Sequence, residues 1–151
     1  IVALINRYFN KQTEVINSHG GDIDKFIGDA VLAVFMGDKM ADNAVRCAIN
    51  IQIEMKKLNQ KLEGNTMFGI GINTGPVIMG PIGSKDRMDY TVIGDNVNLA
   101  CRLCDVAEPG EIIISNNTEK YLTVNRFKLN QLEPISVKGK EETIEIFQVM
   151  V

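Results

Sequence analysis

The chain alternates over residues 68–74, where Gly69, Gly71 and Asn73 separate Phe68, Ile70, Ile72 and Thr74. This pattern constrains the fold more than any other part of the chain. Phe68, Ile70 and Ile72 would form one face of a strand, whereas Gly69 and Gly71 leave the opposite face nearly bare. A strand face without side chains lets another backbone or a ligand approach closely. The sequence therefore predicts a strand against which something packs at backbone distance.

Two apolar segments nearer the N-terminus predict a β-hairpin. They are Asp22–Ile27 and Ala30–Phe35, and only Gly28 and Asp29 separate them. A Gly-Asp pair between two such segments is typical of a two-residue hairpin turn.

The rest of the chain alternates predicted helices with short predicted strands. Apolar residues recur at helical spacing from Leu4 to Ile16 and from Ala44 to Leu62, and Asp42 is the predicted N-cap of the second helix. Further helices are predicted at about 95–107 and at Asn117–Leu122, a solvated loop at Gly83–Arg87, and strands at Val77–Gly80, Asp89–Ile93, Ile112–Ser115, Phe127–Ile135 and Thr143–Val149. Antiparallel pairs joined by helical crossovers indicate an α+β fold, with one sheet and helices packed against it.

Length and composition exclude several classes of protein. A chain of 151 residues with 45% hydrophobic and 23% charged residues suits one globular domain. Its net charge of −3 argues against binding to nucleic acid, and no apolar segment approaches the ~20 residues of a membrane span, so no membrane contact is expected. The three cysteines do not form a disulfide framework, which favours a reducing compartment. The chain opens without methionine, so we expect it to belong to a longer protein.

Two charged residues of the predicted hairpin are candidate ligand contacts. Lys25 alternates with Ile23 and Ile27, so its ammonium group either extends to water from an edge strand or donates to a ligand. Asp29 either satisfies a tight turn or holds a hard cation such as Mg²⁺. The residues alone leave both choices open.

A polar stripe marks the helix predicted at about 95–107. Asn98, Arg102 and Asp105 follow i, i+4, i+7 spacing, which fits either an exposed face or an amide and a guanidinium presented to an anion. Cys101 and Cys104 form a CxxC without a second cysteine pair, so apolar packing is favoured over zinc binding or redox chemistry.

The segment 138–140, Lys-Gly-Lys, precedes the last predicted strand. By itself it is a charged turn, although two lysines on a glycine turn can also bind phosphates.

Taken together, these segments resemble the catalytic domain of class III nucleotidyl cyclases, most of all the bacterial-type adenylate cyclases. Four motifs carry the resemblance in family order: residues 24–30 (DKFIGDA), 69–75 (GIGINTG), 89–102 (DYTVIGDNVNLACR) and 137–140 (VKGK). The resemblance covers the chain from end to end. It implies a ferredoxin-like α+β fold with a mixed or antiparallel sheet, and an active dimer that binds nucleotide at the subunit interface.

The resemblance also implies roles for single residues. Lys25 matches the purine-reading position, where lysine accompanies adenine and glutamate accompanies guanine, and Thr91 matches its partner position. Asn98 and Arg102 match the pair that orients the ribose and stabilises the transition state. Lys138 matches the lysine that contacts the terminal phosphates.

The metal site implied by the resemblance needs two aspartates and two divalent cations, Mg²⁺ or Mn²⁺. Asp29 matches the second of these aspartates and belongs to the opposite subunit from the other site residues. The family's first strand, which bears the other aspartate, is expected upstream of Ile1. Residues 1–151 are therefore expected to be a catalytic domain that lacks its first strand and is inactive alone.

The implied reaction converts ATP to 3′,5′-cyclic AMP and pyrophosphate. The expected partners are ATP, a second cyclase domain in a homodimer, and a regulatory domain in the same longer chain. The expected location is the cytoplasm, including the cytoplasmic side of a membrane-anchored protein. Two alternatives remain: a guanylate cyclase, disfavoured by Lys25, and an inactive cyclase-like module that only dimerises and relays regulation.

Overall fold

The computed structural model describes residues 2–137 and 142–151. Helices and short strands alternate along them, which confirms the α+β class. The helices are α1 (Val2–Ser18), α2 (Met40–Leu62), α3 (Asp95–Val106) and α4 (Asn116–Lys120). The strands are β1 (Asp22–Ile27), β2 (Ala30–Val34), β3 (Ile70–Ile72), β4 (Ile78–Ser84), β5 (Arg87–Ile93), β6 (Ile112–Ser115), β7 (Leu129–Gln131), β8 (Ile135–Ser136), β9 (Thr143–Ile144) and β10 (Ile146–Val149).

The predicted hairpin is confirmed as β1 and β2, which pair antiparallel through the turn at Gly28 and Asp29. Gly28 has a φ of 59°, a left-handed conformation that glycine adopts without a steric cost. The register shifts between Ile23 and Lys25, so Asp24 lies in a β-bulge. The bulge interrupts the alternation that had placed Ile23 and Lys25 on one face, because an extra residue re-aims the side chains beside it.

Helix α2 follows the predicted stripe but begins earlier than expected. Ala44, Ala48, Ile51, Met55 and Leu58 are all buried. The prediction of Asp42 as the N-cap is wrong, because the helix begins at Met40 and Lys39 precedes it without a side-chain cap.

Asp42 instead joins the start of α2 to the segment after α4. Its carboxylate accepts hydrogen bonds from the backbone N–H of Thr123 at 2.9 Å and from the Thr123 hydroxyl at 2.5 Å. Burial acts to raise the pKa of Asp42, but these hydrogen bonds and the nearby charges of Arg126 and Arg46 outweigh burial and lower it. The residue type that caps helices serves here as a tertiary contact, which only the folded chain reveals.

The four-stranded sheet holds the centre of the fold in the order β3-β6-β10-β7. Strand β6 pairs parallel to β3 and antiparallel to β10, and all of its residues are buried. Ile112 and Ile114 pack with Val45 and Ala48 of α2 on one face, whereas Ile113 packs with Leu103 of α3 on the other. Helices therefore cover both faces of this sheet.

The expectation of one continuous sheet is wrong for the described residues. Three further ladders, β1-β2, β4-β5 and β8-β9, are each hydrogen-bonded only within themselves. The predicted loop Gly83–Arg87 is also wrong, because β4 runs to Ser84 and β5 begins at Arg87, which leaves only residues 85 and 86 as the turn of a long hairpin. Alternation along a chain indicates that a strand exists, but its pairing partner is set by distant residues.

Strand β3 fulfils the prediction of a strand approached by another backbone, and that backbone is α3. A Cβ atom added to Gly71 would lie 2.3 Å from the backbone nitrogen of Cys104 and 2.7 Å from the carbonyl oxygen of Ala100. At Gly69 the same atom would lie 2.8 Å from the carbonyl oxygen of Ala107. These glycines let the helix axis approach the strand more closely than any side chain permits.

The substitution Gly71→Ala tests this contact, with Gly80→Ala as the matched control. The added methyl group must displace the α3 backbone, and such overpacking typically costs about 1–3 kcal/mol of unfolding free energy. An added Cβ at Gly80 meets nothing within 4 Å, so that variant should remain within about 0.5 kcal/mol of the parent. Urea unfolding followed by circular dichroism measures both. Equal stability of the two variants would contradict the close approach of α3.

Candidate active site

Helix α3 presents the predicted polar stripe to solvent. Asn98, Arg102 and Asp105 are exposed, whereas Leu103 on the opposite side is fully buried. Within the described residues, the Asn98 and Arg102 side chains make no hydrogen bond or ion pair. An amide and a guanidinium with uncommitted donors are thus held on a helix that the Gly71 contact positions.

A network of short polar side chains fixes the beginning of α3. The Asn73 amide group donates to the carbonyl oxygen of Asn96 at 3.0 Å, and Asn96 donates to the carbonyl oxygen of Pro76 at 2.8 Å. The hydroxyl group of Ser115 donates to Asn73 at 2.7 Å. Because Asn73 follows β3 and Ser115 ends β6, these bonds orient the first turn of α3 relative to the central sheet.

Lys25 and Thr91, which the sequence predicts to act together, are in direct contact. The Lys25 ammonium group donates to the Thr91 hydroxyl oxygen at 2.5 Å. The Lys25 side chain is 40% exposed, so it is held by a partner while it still faces solvent. This contact joins β1 to β5, the strand that leads into α3 through Gly94, whose φ is 133°.

Asp24, the first residue of the 24–30 motif, completes this cluster, although the sequence by itself assigns it no role. The Thr91 hydroxyl group donates to Asp24 Oδ2 at 2.8 Å, and Lys25 Nζ lies 3.5 Å from the same oxygen. The Asp24 side chain is only 7% exposed. The only sequence signal for its role was an acidic residue next to Lys25. In a regular strand these two side chains would point to opposite faces, and the sequence does not reveal the bulge that changes this arrangement.

Asp29 lies exposed at the turn of the first hairpin, and within the described residues it makes no hydrogen bond or ion pair. Its charge nevertheless reaches α3. Burial raises the pKa of Cys104, and the negative charges of Asp105 and Asp29 raise it further. An unpaired carboxylate of this kind suits a hard cation.

The remaining predicted features contribute less. Lys138 lies outside the described residues. Cys101 and Cys104 are free and partly buried, and the Cys104 thiol contacts the carbonyl oxygen of Gly69 at 3.5 Å, which agrees with a packing role on β3.

Across residues 2–137 and 142–151, no group of three or more His, Cys, Asp or Glu side chains is arranged to hold a metal ion. None of the helices in these ranges is long and apolar enough to cross a membrane.

Comparison with known proteins identifies the class that this fold and these residues define. The adenylate and guanylate cyclase catalytic domain matches residues 1–150. The chain belongs to this family, which confirms the resemblance inferred from the four motifs.

Solved structures confirm the fold and include both substrate classes. The crystal structure of the adenylyl cyclase CyaB from P. aeruginosa matches with a TM-score of 0.90 and 36% identity, over 99% of this chain and 82% of that chain. The guanylyl cyclase Cya2 matches with the same TM-score of 0.90 and 36% identity, over 98% and 79% of the two chains. Overall similarity therefore does not choose between adenine and guanine.

Among curated relatives, an adenylate cyclase from Anabaena cylindrica is 35% identical over 99% of this chain and 32% of its own length. The terminal-differentiation-specific adenylate cyclase of Dictyostelium discoideum is 34% identical over 99% of this chain and 8% of its own length. The chain thus spans a third or less of these relatives.

Proposed function

We propose that this domain is an adenylate cyclase, which forms 3′,5′-cyclic AMP and pyrophosphate from ATP. The observation that carries the proposal is the contact between Lys25 and Thr91. A lysine at this position would donate a hydrogen bond to a ring nitrogen of adenine that accepts one, whereas the corresponding nitrogen of guanine carries a hydrogen. Guanylate cyclase is the second candidate, favoured by the 36% identity to Cya2.

The reaction forms a bond between the ribose 3′-oxygen and the α-phosphorus and breaks the bond from that phosphorus to pyrophosphate, while the 3′-hydroxyl proton leaves to solvent. Asn98 would orient the ribose, and Arg102 would neutralise charge that develops on the α-phosphate. Lys138 would contact the terminal phosphates. The exposed positions and uncommitted donors of Asn98 and Arg102 support these roles.

Asp29 would bind two divalent cations, Mg²⁺ or Mn²⁺, together with an aspartate upstream of Ile1. Such cations lower the pKa of the attacking hydroxyl group and hold the triphosphate. The unpaired, exposed carboxylate of Asp29 fits this role.

The active form would be a homodimer, with Asp29 from one subunit and Lys25, Thr91, Asn98, Arg102 and Lys138 from its partner. Large apolar side chains exposed on the two hairpins support an interface there: Phe26 is 55% exposed, Ile78 65% and Met79 54%. Exposed apolar surface of this kind typically marks a protein contact. A regulatory domain in the same longer protein and a location in the cytoplasm remain predictions.

Replacing Lys25 by glutamate tests the base preference. Lys25→Glu should lower kcat/KM for ATP and raise the relative use of GTP, because a buried mispaired hydrogen bond costs about 1–3 kcal/mol. Lys56→Glu, which makes the same charge change at an exposed position of α2, is the matched control. Steady-state assays of the full-length protein with both nucleotides give the ratio. If Lys25→Glu leaves the ATP:GTP ratio of kcat/KM unchanged, Lys25 is only a solvent-exposed residue of an edge strand.

Replacing Arg102 by alanine tests stabilisation of the transition state. Arg102→Ala should lower kcat by about 10²–10³ with a small change in KM, because its charge acts most strongly as the α-phosphate reorganises. Arg7→Ala removes an exposed arginine from α1 and should leave both constants unchanged. A rise in KM alone would mean that Arg102 binds only the ground state. Unchanged kcat and KM would mean that the polar stripe of α3 is a solvent-exposed face without a catalytic role.

Mixing two inactive variants tests the shared site. Asp29→Ala and Arg102→Ala homodimers of the full-length protein should both be inactive. In a heterodimer one site carries both substitutions, whereas the other combines wild-type Asp29 with wild-type Arg102, so co-expression should restore activity. Differently tagged subunits and tandem pull-down verify the heterodimer. A purified heterodimer without activity would contradict the two-subunit site.

A further inference from the structure

We propose that Asp24 is a positioning residue that fixes the direction of the hydrogen bonds offered to the purine, and thereby makes the site select adenine. The inference rests on the proposed function, in which Lys25 and Thr91 face the base. It concerns a buried carboxylate that has no part in the reaction itself. Its basis is the pair of hydrogen bonds that meet at the Thr91 hydroxyl oxygen.

A threonine hydroxyl group has one proton to donate and lone pairs that accept. At Thr91 the proton is committed, because Asp24 can only accept, and the hydroxyl group therefore donates to Asp24 Oδ2 at 2.8 Å. Lys25 Nζ donates to the same Thr91 oxygen at 2.5 Å. Thr91 consequently has only acceptor capacity left for a ligand, while the Lys25 ammonium group retains further donors.

This arrangement matches one purine and mismatches the other. Adenine offers an amino donor at position 6 and an acceptor at N1, which complement the Thr91 acceptor and the Lys25 donor. Guanine offers an oxygen acceptor at position 6 and a donor at N1. The Thr91 acceptor would then face an acceptor, and the Lys25 donor would face a donor. If Asp24 did not hold the Thr91 proton, the hydroxyl group could rotate and donate to that oxygen.

Local structure explains why Asp24 can act in this way. The bulge between Ile23 and Lys25 lets two consecutive residues of β1 reach the same Thr91 hydroxyl group. The Asp24 carboxylate is 7% exposed, so water competes little for its lone pairs. The 3.5 Å ion pair with Lys25 balances its charge.

The test compares kcat/KM for ATP, GTP and ITP in the full-length protein. ITP has the position-6 oxygen and the N1 donor of GTP but lacks its 2-amino group. Asp24→Leu should lower the ATP:GTP and ATP:ITP ratios by about 10-fold or more, which is the discrimination expected of one hydrogen-bond mismatch. Asp24→Ala serves in its place if the leucine variant is unfolded by circular dichroism.

Three controls separate positioning from general damage. Asp24→Asn keeps a carbonyl oxygen that can accept the Thr91 proton, so it should retain most of the parent ratio. Asp22→Leu makes the same change at an exposed position of β1 and should leave the ratio unchanged. In a Thr91→Val background, Asp24→Ala should change the ratio less than about 2-fold, since the hydroxyl group that it orients is gone.

The outcomes distinguish the inference from the proposed function. A parent protein that prefers GTP contradicts the adenylate cyclase assignment. A parent that prefers ATP, with ratios unaltered in both Asp24→Leu and Asp24→Ala, overturns the inference alone. A full effect of Asp24→Ala in the Thr91→Val background also overturns it, because Asp24 would then act through Lys25. A higher kcat/KM for GTP without a higher kcat/KM for ITP overturns it as well, because the 2-amino group would then be what Asp24 affects.

Discussion

The backbone contact between β3 and α3 is the constraint on which the candidate site depends. Gly71 admits the helix to within 2.3 Å of where a Cβ atom would lie, and the Asn73–Asn96 hydrogen bonds orient its first turn. The side of α3 that packs against β3 is fixed in place. The opposite, exposed side of α3 therefore holds Asn98 and Arg102 in a fixed position relative to the sheet. Catalytic groups on a packed helix are positioned more precisely than groups on a loop.

The cluster of Asp24, Lys25 and Thr91 depends on a second local feature, the bulge in β1. A regular strand would separate Asp24 from Lys25, whereas the extra residue brings both to Thr91 on β5. The cluster and α3 are linked through the chain, since β5 leads into α3 through Gly94. Thr91 on β5 and the exposed pair Asn98 and Arg102 on α3 therefore lie on two consecutive elements, and Lys25 reaches Thr91 from β1.

Three of the proposed site residues lie at the surface of the domain rather than in its interior. Two of its grooves, one between α1 and α2 and one beside α4, are lined by none of the proposed site residues. Asp29, Asn98 and Arg102 are all exposed, and apolar side chains of the hairpins are exposed as well. A second subunit would both cover this apolar surface and enclose the nucleotide, which unites the two observations in one proposal.

The sequence by itself determined the helices, the first hairpin and the glycine strand, because local periodicity and short motifs carry that information. The pairing of Lys25 with Thr91 was predicted only through the family resemblance, and the fold brings the two residues into contact. Only the tertiary structure decided which strands pair, that Asp42 contacts Thr123 rather than capping α2, and that Asp24 reaches Thr91. Asp42 and Thr123 lie 81 positions apart, and Asp24 and Thr91 lie 67 apart. The paired strands β3 and β6 are separated along the chain by β4, β5 and α3. No local pattern encodes such contacts, since they arise when the whole chain packs.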